Sequence, residues 1–268
     1  MKITKLQDAI DSYEFGGKAS SLAKGLQFNL PIPDGFVLNV QMVRKILDNN
    51  CNAINALKFE FNKLASAVVV RSSALEEDSE EISFAGQYLS VLNVISFHQL
   101  LNAVRQVANS ELEDSVKLYR KKHGLSGGSR MSIIIQKMID VEKAGVLFTE
   151  NPVTKTNEFL IEASWGFGEA VVAGMIIPDS FKLNTQGKLI EQKIGVKDFM
   201  LSSNSNGGLE EMPLDWADSI KPTLNNDELQ NLYQLGSICK DFYGRHIDIE
   251  WGIKNKKTYL FQCRPITT

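Results

Sequence analysis

The last segment of the chain, Ile247–Thr268, most constrains the fold, because it reads as a β-hairpin with two different faces. Two runs rich in β-branched and aromatic residues flank a polar tip at Asn255-Lys256-Lys257, which is the pattern of two paired strands. We predict that Lys254 and Thr258 close the tip. A slip by one residue would mix polar and apolar side chains on both faces, so burial of one face selects this register.

In this register each face of the hairpin has its own chemistry. The apolar face combines residues of both strands: Ile249, Trp251 and Ile253 against Cys263, Phe261 and Tyr259. On the polar face, Glu250 lies opposite Gln262 and Asp248 lies opposite Arg264. Because cross-strand partners are close neighbours, this register brings two carboxylates, an amide and a guanidinium to one surface.

The polar face supports two interpretations. Carboxylate and amide oxygens are hard ligands suited to Mg²⁺, and a guanidinium suits phosphate oxygens, so the face predicts a metal–nucleotide site. The alternative is a cross-strand ion pair on a solvated sheet face, which needs no ligand. The hairpin pattern alone leaves both interpretations open.

Composition limits the classes of partner. The chain has 268 residues, 43% of them hydrophobic, which is enough to bury a core in one large domain or in two lobes. Its net charge is −3 with acidic and basic residues interspersed, so nucleic acid and anionic membrane surfaces are not expected partners. The longest uncharged stretch, residues 82–104, is too polar to span a bilayer.

Two features predict a cytoplasmic location. The N-terminal residues carry charges early and lack an apolar signal segment, so secretion is not expected. The cysteines Cys51, Cys239 and Cys263 show no CxxC spacing and lie in apolar patterns. They are therefore predicted to be buried thiols in a reducing compartment.

A glycine pair near the N-terminus precedes a predicted helix. Apolar residues between Ala19 and Leu26 recur at helical spacing, so the helix is expected to begin just after Gly16-Gly17. Lys18 then lies in the first turn, where a cation opposes the helix macrodipole. A bound anion would remove this conflict, because Lys18 and the free amides would both contact it. The alternative is an exposed lysine at an unfavourable position.

A buried strand is predicted at Ala67–Arg71, with Arg71, Ser72 and Ser73 emerging at its end. Strand ends are a usual place for ligand contacts in α/β folds. The following small-residue loop, Ser83–Gln87, would let backbone amides approach a phosphate closely.

A Gly- and Ser-rich tract, Gly124–Ser129, is the predicted linker between two lobes, residues 1–125 and 126–268. Met131–Gln136 is expected to open the second lobe as a buried strand. A helix is predicted from Asn226 to Tyr243 because acids occupy its first turn and a glycine follows its end. Both lobes combine strands with helices, so the predicted fold class is α+β.

Five segments in order resemble one family across nearly the whole chain. They read GGKASSLA, VVVRSSALEED with SFAGQ, IIIQKM with AGVLFTENP, EASWGFGEAVVAG with PDSF, and DIEW with LFQCRPIT. Together they resemble the ATP-binding domain of the phosphoenolpyruvate synthase, pyruvate phosphate dikinase and rifampin phosphotransferase family. The resemblance implies an ATP-grasp fold with ATP in the cleft between two lobes.

The resemblance also implies roles for residues of the predicted first lobe and for the strand that follows it. Lys18 and Arg71 match phosphate-contacting residues, and Arg71 would stabilise charge during phosphoryl transfer. Gly86 lies in the glycine-rich segment that covers the phosphates, and Ser90 matches a further nucleotide contact. Gln136 matches the adenine-side hinge.

For the closing hairpin the resemblance favours the metal–nucleotide interpretation. Glu250 and Gln262 match Mg²⁺ contacts, and Asp248 is implied to be a supporting acid of the metal site. Arg264 matches a second phosphate clamp, which makes it a third catalytic cation beside Lys18 and Arg71. Glu169 fits the family motif without an implied role.

In the family, ATP yields AMP and phosphate while the β-phosphoryl group moves to a histidine of a separate swivelling domain. It then passes to an acceptor such as pyruvate, rifampin or the amide nitrogen of glutamine. The resemblance therefore implies ATP and Mg²⁺ as cofactors. The implied partners are a phosphohistidine domain and an acceptor-binding domain, in the same chain or in another.

The chain ends directly after the CRPIT motif, so we expect the phosphohistidine domain to lie outside it. His98, His123 and His246 do not lie in a Thr- and Gly-rich phosphohistidine loop and are expected to be structural. The competing interpretation is a non-catalytic nucleotide-binding or regulatory module of the same fold.

Overall fold

The structure of the chain is a computed structural model that describes residues 3–74, 89–110 and 131–266. Helices and antiparallel strands are interspersed along these ranges, which confirms the predicted α+β class. No described helix combines the length and the apolar composition that a membrane span requires.

The chain divides into two compact units. Unit 1 consists of Met1–Met138 together with Asn204–Gly208. Unit 2 consists of Ile139–Ser203 together with Leu209–Thr268.

Unit 1 contains a five-stranded antiparallel sheet of order β1-β2-β5-β3-β4. Its strands are β1 (Thr4–Lys5), β2 (Gly35–Leu38), β3 (Val68–Ala74), β4 (Ser90–Val94) and β5 (Met131–Lys137). The helices described in unit 1 are α1 (Ser12–Phe15), α2 (Gly17–Gln27), α3 (Val40–Leu47), α4 (Cys51–Leu64) and α5 (Phe97–Asn109), with a 3-10 turn at Leu6–Asp8.

One face of this sheet belongs to the hydrophobic core of unit 1. Alternate residues of β3 and β5, among them Val68, Val70, Ile133 and Ile135, are fully buried in one cluster with apolar residues of α3, α4 and α5. Because side chains alternate along a strand, the residues between them point to the opposite face. That second face, which includes Arg71, packs against α2.

Unit 2 contains a six-stranded antiparallel sheet of order β13-β12-β6-β7-β8-β9 and a separate pair, β10 and β11. Its strands are β6 (Lys143–Phe148), β7 (Phe159–Trp165), β8 (Asp179–Leu183), β9 (Leu189–Lys193), β10 (Phe199–Ser203), β11 (Leu209–Pro213), β12 (Ile247–Lys254) and β13 (Lys257–Pro265). Its helices are α6 (Glu169–Val172), α7 (Trp216–Ser219) and α8 (Asn226–Tyr243).

Helix α8 has the predicted bounds and is stabilised at both ends. Asn225 and Glu228 form a capping box, in which each side chain accepts a hydrogen bond from the backbone N–H of the other at 2.9 Å. Gly244 ends the helix in the left-handed conformation with φ of 65°. Glu228 also pairs with Lys143 of β6 at 2.7 Å, which joins the start of the helix to the sheet.

The same helix covers one face of the unit 2 sheet. A Cβ atom at Gly236 would lie 2.8 Å from Phe159 and 2.9 Å from Leu147, so α8 lies directly on β6 and β7. Phe159, Leu147 and their neighbours on that face form the apolar side of the sheet. The opposite face is left for the polar residues of β12 and β13.

Two strand predictions are corrected by the pairing in unit 1. Strand β3 continues to Ala74, which pairs with Met131, so Arg71 lies in the middle of the strand and not at its end. Strand β5 was expected to open the second lobe, but it pairs with both β2 and β3 and therefore belongs to unit 1. The predicted linker at Gly124–Ser129 lies outside the described residues.

One cysteine prediction is wrong. Cys239 and Cys263 are buried as predicted, whereas Cys51 is exposed, and all three are free thiols. Cys51 is the first residue of α4, and the buried side of that helix is formed by Ala53 and Leu57. The first turn of the helix therefore leaves Cys51 in solvent.

Candidate functional site

Three candidate residues of unit 1 lie on one face of its sheet. Arg71 pairs with Ser90 of β4, and Gln136 of β5 pairs with Val69. Val69 and Arg71 are two residues apart on β3, so their side chains point to the same face. Residues that pair across two strands also share a face. Arg71, Ser90 and Gln136 therefore point away from the apolar core, to the side covered by α2.

Helix α2 brings Lys18 to this face. Ser73 Oγ accepts a hydrogen bond from the backbone N–H of Ala19 at 3.0 Å and donates one to the carbonyl oxygen of Phe15 at 2.7 Å. A Cβ atom at Gly16, whose φ is +85°, would clash with the carbonyl oxygen of Ser73. Only glycine permits this approach, which fixes the first turn of α2, with Lys18 in it, against β3.

Burial separates the two interpretations of Lys18. Lys18 and Arg71 are each only 8% exposed, so Lys18 is not the exposed surface lysine of the alternative interpretation. Gln136 is also buried, and its Nε2 donates a hydrogen bond to the carbonyl oxygen of Pro33 at 2.7 Å. Burial of a charged group is costly unless polar or oppositely charged groups interact with it, so both cations must be compensated where they lie.

In unit 2 the closing hairpin pairs as predicted at its polar end. Asp248 lies opposite Arg264, and Glu250 lies opposite Gln262. The sequence pattern was sufficient here because a one-residue slip would have exposed the apolar side of both strands.

The tip of the hairpin differs from the prediction. Lys254 pairs with Lys257, not with Thr258. The turn is formed by Asn255 and Lys256, whose φ angles of 49° and 63° are both positive. Two successive positive φ angles are typical of the two-residue turns that match the twist of paired strands.

The shorter turn leaves one extra residue in β13, and a bulge beside Glu250 and Trp251 absorbs it. Trp251 therefore faces Leu260 and not Phe261, and Tyr259 faces Gly252 and not Ile253, so the predicted places of Phe261 and Tyr259 on the apolar face are wrong. Phe261 lies over Gly252, where a Cβ atom would be 2.6 Å from its ring. The bulge thus places an aromatic ring beside the polar residues.

Asp248 holds Arg264 in position. Nε and Nη2 of Arg264 both donate to Oδ2 of Asp248, at 2.8 Å and 2.6 Å. Burial raises the pKa of Asp248 and nearby Glu250 adds to this, while Arg264 opposes it. Asp248 is 7% exposed, and its Oδ1 has no hydrogen-bond partner in the described part of the chain.

This polar face fits a divalent cation. The unpartnered oxygen of Asp248 would gain a partner, and Glu250 with Gln262 adds a second carboxylate and an amide oxygen on the same face. Within residues 3–74, 89–110 and 131–266 no group of three or more His, Cys, Asp or Glu is placed to hold a metal. The cation would therefore complete its shell with the amide and with ligand oxygens, as Mg²⁺ commonly does.

A further acid, Glu162 of β7, lies on the same face and was not assigned by the sequence pattern. Its cross-strand partner Val146 pairs in turn with Glu250. Burial raises the pKa of Glu162 above its ordinary value. The signal that could have pointed to it is its position as the first residue of the EASWGFGE segment, on a strand with alternating burial.

The Gly-rich turn before Glu169 also lies on this face. A Cβ atom at Gly168 would be 3.5 Å from Ala144, which pairs with Gly252 two residues from Glu250. Glu169 is the first residue of α6 and therefore lies near the same surface.

Other predicted residues contribute less to this geometry. Gly86 and His123 lie outside the described residues. His246 contacts the carbonyl oxygen of Thr149 at 3.1 Å and lies 3.5 Å from a carboxylate oxygen of Glu150. His98 lies in the first turn of α5.

Comparisons with known proteins give one family match. Residues 51–268 match the model of the pyruvate phosphate dikinase, AMP/ATP-binding domain. The uncharacterized phosphotransferase YvkC of Bacillus subtilis is 34% identical over 277 residues, covering 94% of this chain and 33% of the relative. A probable phosphoenolpyruvate synthase of Archaeoglobus fulgidus is 30% identical over 300 residues, covering 94% of this chain and 40% of the relative.

A third relative is the prodigiosin synthesizing transferase PigC of Serratia marcescens, 31% identical over 287 residues, covering 97% of this chain and 32% of the relative. The chain thus spans less than half the length of these three relatives. Among solved structures, D-alanine–D-alanine ligase of Bacillus anthracis overlaps with a TM-score of 0.45 and 10% identity, covering 97% of this chain and 58% of the ligase. That likeness is too distant to bear on function.

Proposed function

The chain belongs to the family of the pyruvate phosphate dikinase AMP/ATP-binding domain, and from this premise we propose that it is the ATP- and Mg²⁺-binding unit of a dikinase-type phosphotransferase. The observation that carries the proposal is the polar face of the hairpin, where Asp248 pairs with Arg264 and Glu250 with Gln262. In the proposed reaction ATP is cleaved to AMP and inorganic phosphate. The β-phosphoryl group passes to a histidine on a separate swivelling domain and then to a small-molecule acceptor.

In unit 1, Lys18 and Arg71 are proposed to contact the phosphates of ATP. Phosphoryl transfer asks the protein mainly for positioning and charge stabilisation, which buried cations supply more strongly than exposed ones. Ser90 shares the face of Arg71 and is proposed as a further nucleotide contact. Gln136 is proposed as the adenine-side hinge, and Gly86 as part of the loop that covers the phosphates.

In unit 2, Glu250 and Gln262 are proposed to hold Mg²⁺, with Asp248 supporting them. Bound there, Mg²⁺ supplies positive charge to the phosphate oxygens. Arg264 is proposed as the second phosphate clamp. Asp248 fixes the orientation of its guanidinium by two hydrogen bonds to one carboxylate oxygen.

The histidine domain and the acceptor domain are proposed partners, in the same polypeptide or in another. The relatives are two to three times longer than the segment they share with this chain, which leaves room for such domains. The proposed acceptor is a small molecule such as pyruvate, an antibiotic or an amide such as glutamine, and the proposed location is the cytoplasm.

The test measures AMP formation from Mg-ATP with the chain and a purified phosphohistidine domain of a relative. We expect Arg71→Ala and Glu250→Ala to lower the rate by roughly 100-fold or more, because each removes charge stabilisation of the transferred group. Arg105→Ala and Glu60→Ala are matched controls, since Arg105 and Glu60 are partly exposed residues whose partners, Asn49 and Lys63, lie away from the site. Circular dichroism checks that all four variants fold.

Equal turnover in the site variants and the wild type would contradict the assignment. Mg-ATP binding without AMP release, alone and with the histidine domain, would support the non-catalytic module instead.

A further inference from the structure

Glu162 stands at a defined distance from the hairpin's polar residues. It lies two strands away from Glu250, with Val146 of β6 between them in the same cross-strand row. Adjacent strands lie about 4.8 Å apart, so the Cα atoms of Glu162 and Glu250 are roughly 10 Å apart. The row continues to Gln262 on one side of Glu250 and to Ser180 on the other side of Glu162.

The carboxylate of Glu162 is half-buried and makes no hydrogen bond or ion pair with a described residue. Cations on the neighbouring strands are engaged elsewhere, since Lys182 and Lys193 both pair with Glu191, at 2.7 Å and 2.8 Å. Burial without a compensating cation raises the pKa of Glu162. Glu191 has the opposite environment, because its hydrogen bonds to Lys182 and Lys193 lower its pKa to about 2.

The proposed reaction needs a proton acceptor. Conversion of ATP into AMP, inorganic phosphate and one phosphoryl group on histidine breaks two phosphoanhydride bonds, and one of them is broken by water. The water oxygen enters the inorganic phosphate, and one water proton has to be removed. Lys18, Arg71 and Arg264 are cations, and Asp248 and Glu250 are proposed for the Mg²⁺ site, so none of the residues assigned so far is proposed as the proton acceptor.

We propose that Glu162 is the general base that orients this water and accepts its proton, an inference that rests on the proposed function. A lone pair of the water oxygen forms the new bond to the γ-phosphorus. The bond from the γ-phosphorus to the bridging oxygen breaks, and its electron pair stays on the β-phosphate. One proton moves to an Oε atom of Glu162. Water can attack before or after transfer to the histidine, so the β-phosphorus is bonded to AMP or to the histidine at that moment. The bonds formed and broken at the γ-phosphorus are the same in both orders.

The spacing on the sheet suits this role. A nucleophile stands about 3–3.5 Å from the atom it attacks, and a base about 2.6–3.2 Å from the nucleophile. A base therefore stands roughly 6 Å from the reacting phosphorus. Glu162 lies two strands from Glu250, so the sheet face between them has space for the phosphoryl group and the attacking water. A carboxylate directly beside Glu250 would bind the cation instead. A raised pKa also favours proton acceptance near neutral pH.

The test compares Glu162→Gln, which keeps the shape and removes the proton acceptor, with Glu162→Asp. The control is Glu60→Gln, because Glu60 pairs with Lys63 on its own helix α4. The chain is assayed with the phosphohistidine domain of a relative for Mg-ATP affinity and for phosphate release in oxygen-18 water. We expect Glu162→Gln to bind Mg-ATP within about twofold of wild type and to release phosphate roughly 100-fold or more slowly. Glu162→Asp should be intermediate, and Glu60→Gln should match wild type.

The pH dependence of phosphate release distinguishes a general base from a residue with a structural role only. Wild-type phosphate release should fall as the pH drops through the pKa of Glu162, because the base becomes protonated, and this limb should be missing in Glu162→Gln. In wild type, one oxygen-18 atom should enter each phosphate released.

Three results would overturn the inference: wild-type phosphate release by Glu162→Gln, an unchanged acid limb in that variant, or phosphate without the label. If Glu162→Gln does not fold, a wild-type rate for Glu162→Asp would overturn it. Failure of the proposed function is distinguishable, because the wild-type chain would then form no AMP at all.

Discussion

The sheet of unit 2 leaves no room for a side chain at Gly145. A Cβ atom there would clash with the backbone carbonyl oxygen of Glu162 on the neighbouring strand β7. A backbone atom cannot move aside as the end of a flexible side chain can. The close approach therefore requires glycine, and it sets the local distance between β6 and the strand that carries Glu162.

We predict that Gly145→Ala lowers the free energy of unfolding by about 1–3 kcal/mol, because the two strands must separate to admit the methyl group. Gly168→Ala is the matched control, since its Cβ atom would find its nearest neighbour at 3.5 Å and its φ is −69°. Urea unfolding of both variants checks this. Equal midpoints for the two variants would contradict the prediction.

Among the elements of unit 2, β8 is joined to two distant segments by a fully buried ion pair. Asp179 of β8 bonds to Lys197 Nζ at 2.5 Å, and neither side chain is exposed. Asp179 also accepts hydrogen bonds from the backbone N–H of Gly195 at 2.9 Å and of Thr223 at 2.7 Å. The carboxylate thus ties β8 to the segments before β10 and before α8.

We predict that Lys197→Met destabilises the protein by roughly 3–5 kcal/mol, because it leaves the carboxylate of Asp179 buried without a cation. Lys182→Met is the control, because Lys182 pairs with Glu191 at the surface of the same sheet and should change stability little. Thermal unfolding measures both. The double variant Asp179→Asn with Lys197→Met should recover part of the loss, and a loss as large as that of the single variant would contradict this account.

For the chain as a whole, Mg-ATP should stabilise the folded state, since a ligand that binds only the native protein shifts the unfolding equilibrium. At a free concentration 100-fold above the Kd the expected gain is about 2.7 kcal/mol. We predict that Glu250→Ala removes most of the resulting rise in unfolding temperature. Glu191→Ala should keep it, and an equal rise in the two variants would contradict the proposed site.

Much of the fold and of the candidate site follows from local pattern. The alternation of β12 and β13 places Asp248 opposite Arg264 and Glu250 opposite Gln262, because one face must be buried. Acids at its start and Gly244 at its end likewise fix the bounds of α8. These features depend on side chains within a few residues of one another, so the sequence contains the information directly.

Other features depended on contacts between distant segments, which only the tertiary structure decided. Strand β5 is placed in unit 1 by its hydrogen bonds to β2 and β3, and the same pairing carries β3 past Arg71 to Ala74. The bulge that places Phe261 against Gly252 arises because the two-residue turn leaves one extra residue in β13. Glu162 reaches the face of Glu250 only through the order β12-β6-β7, which no local pattern specifies. Local alternation thus determines which side chains of one strand share a face. The order of strands in the sheet determines which side chains of different strands become neighbours on that face.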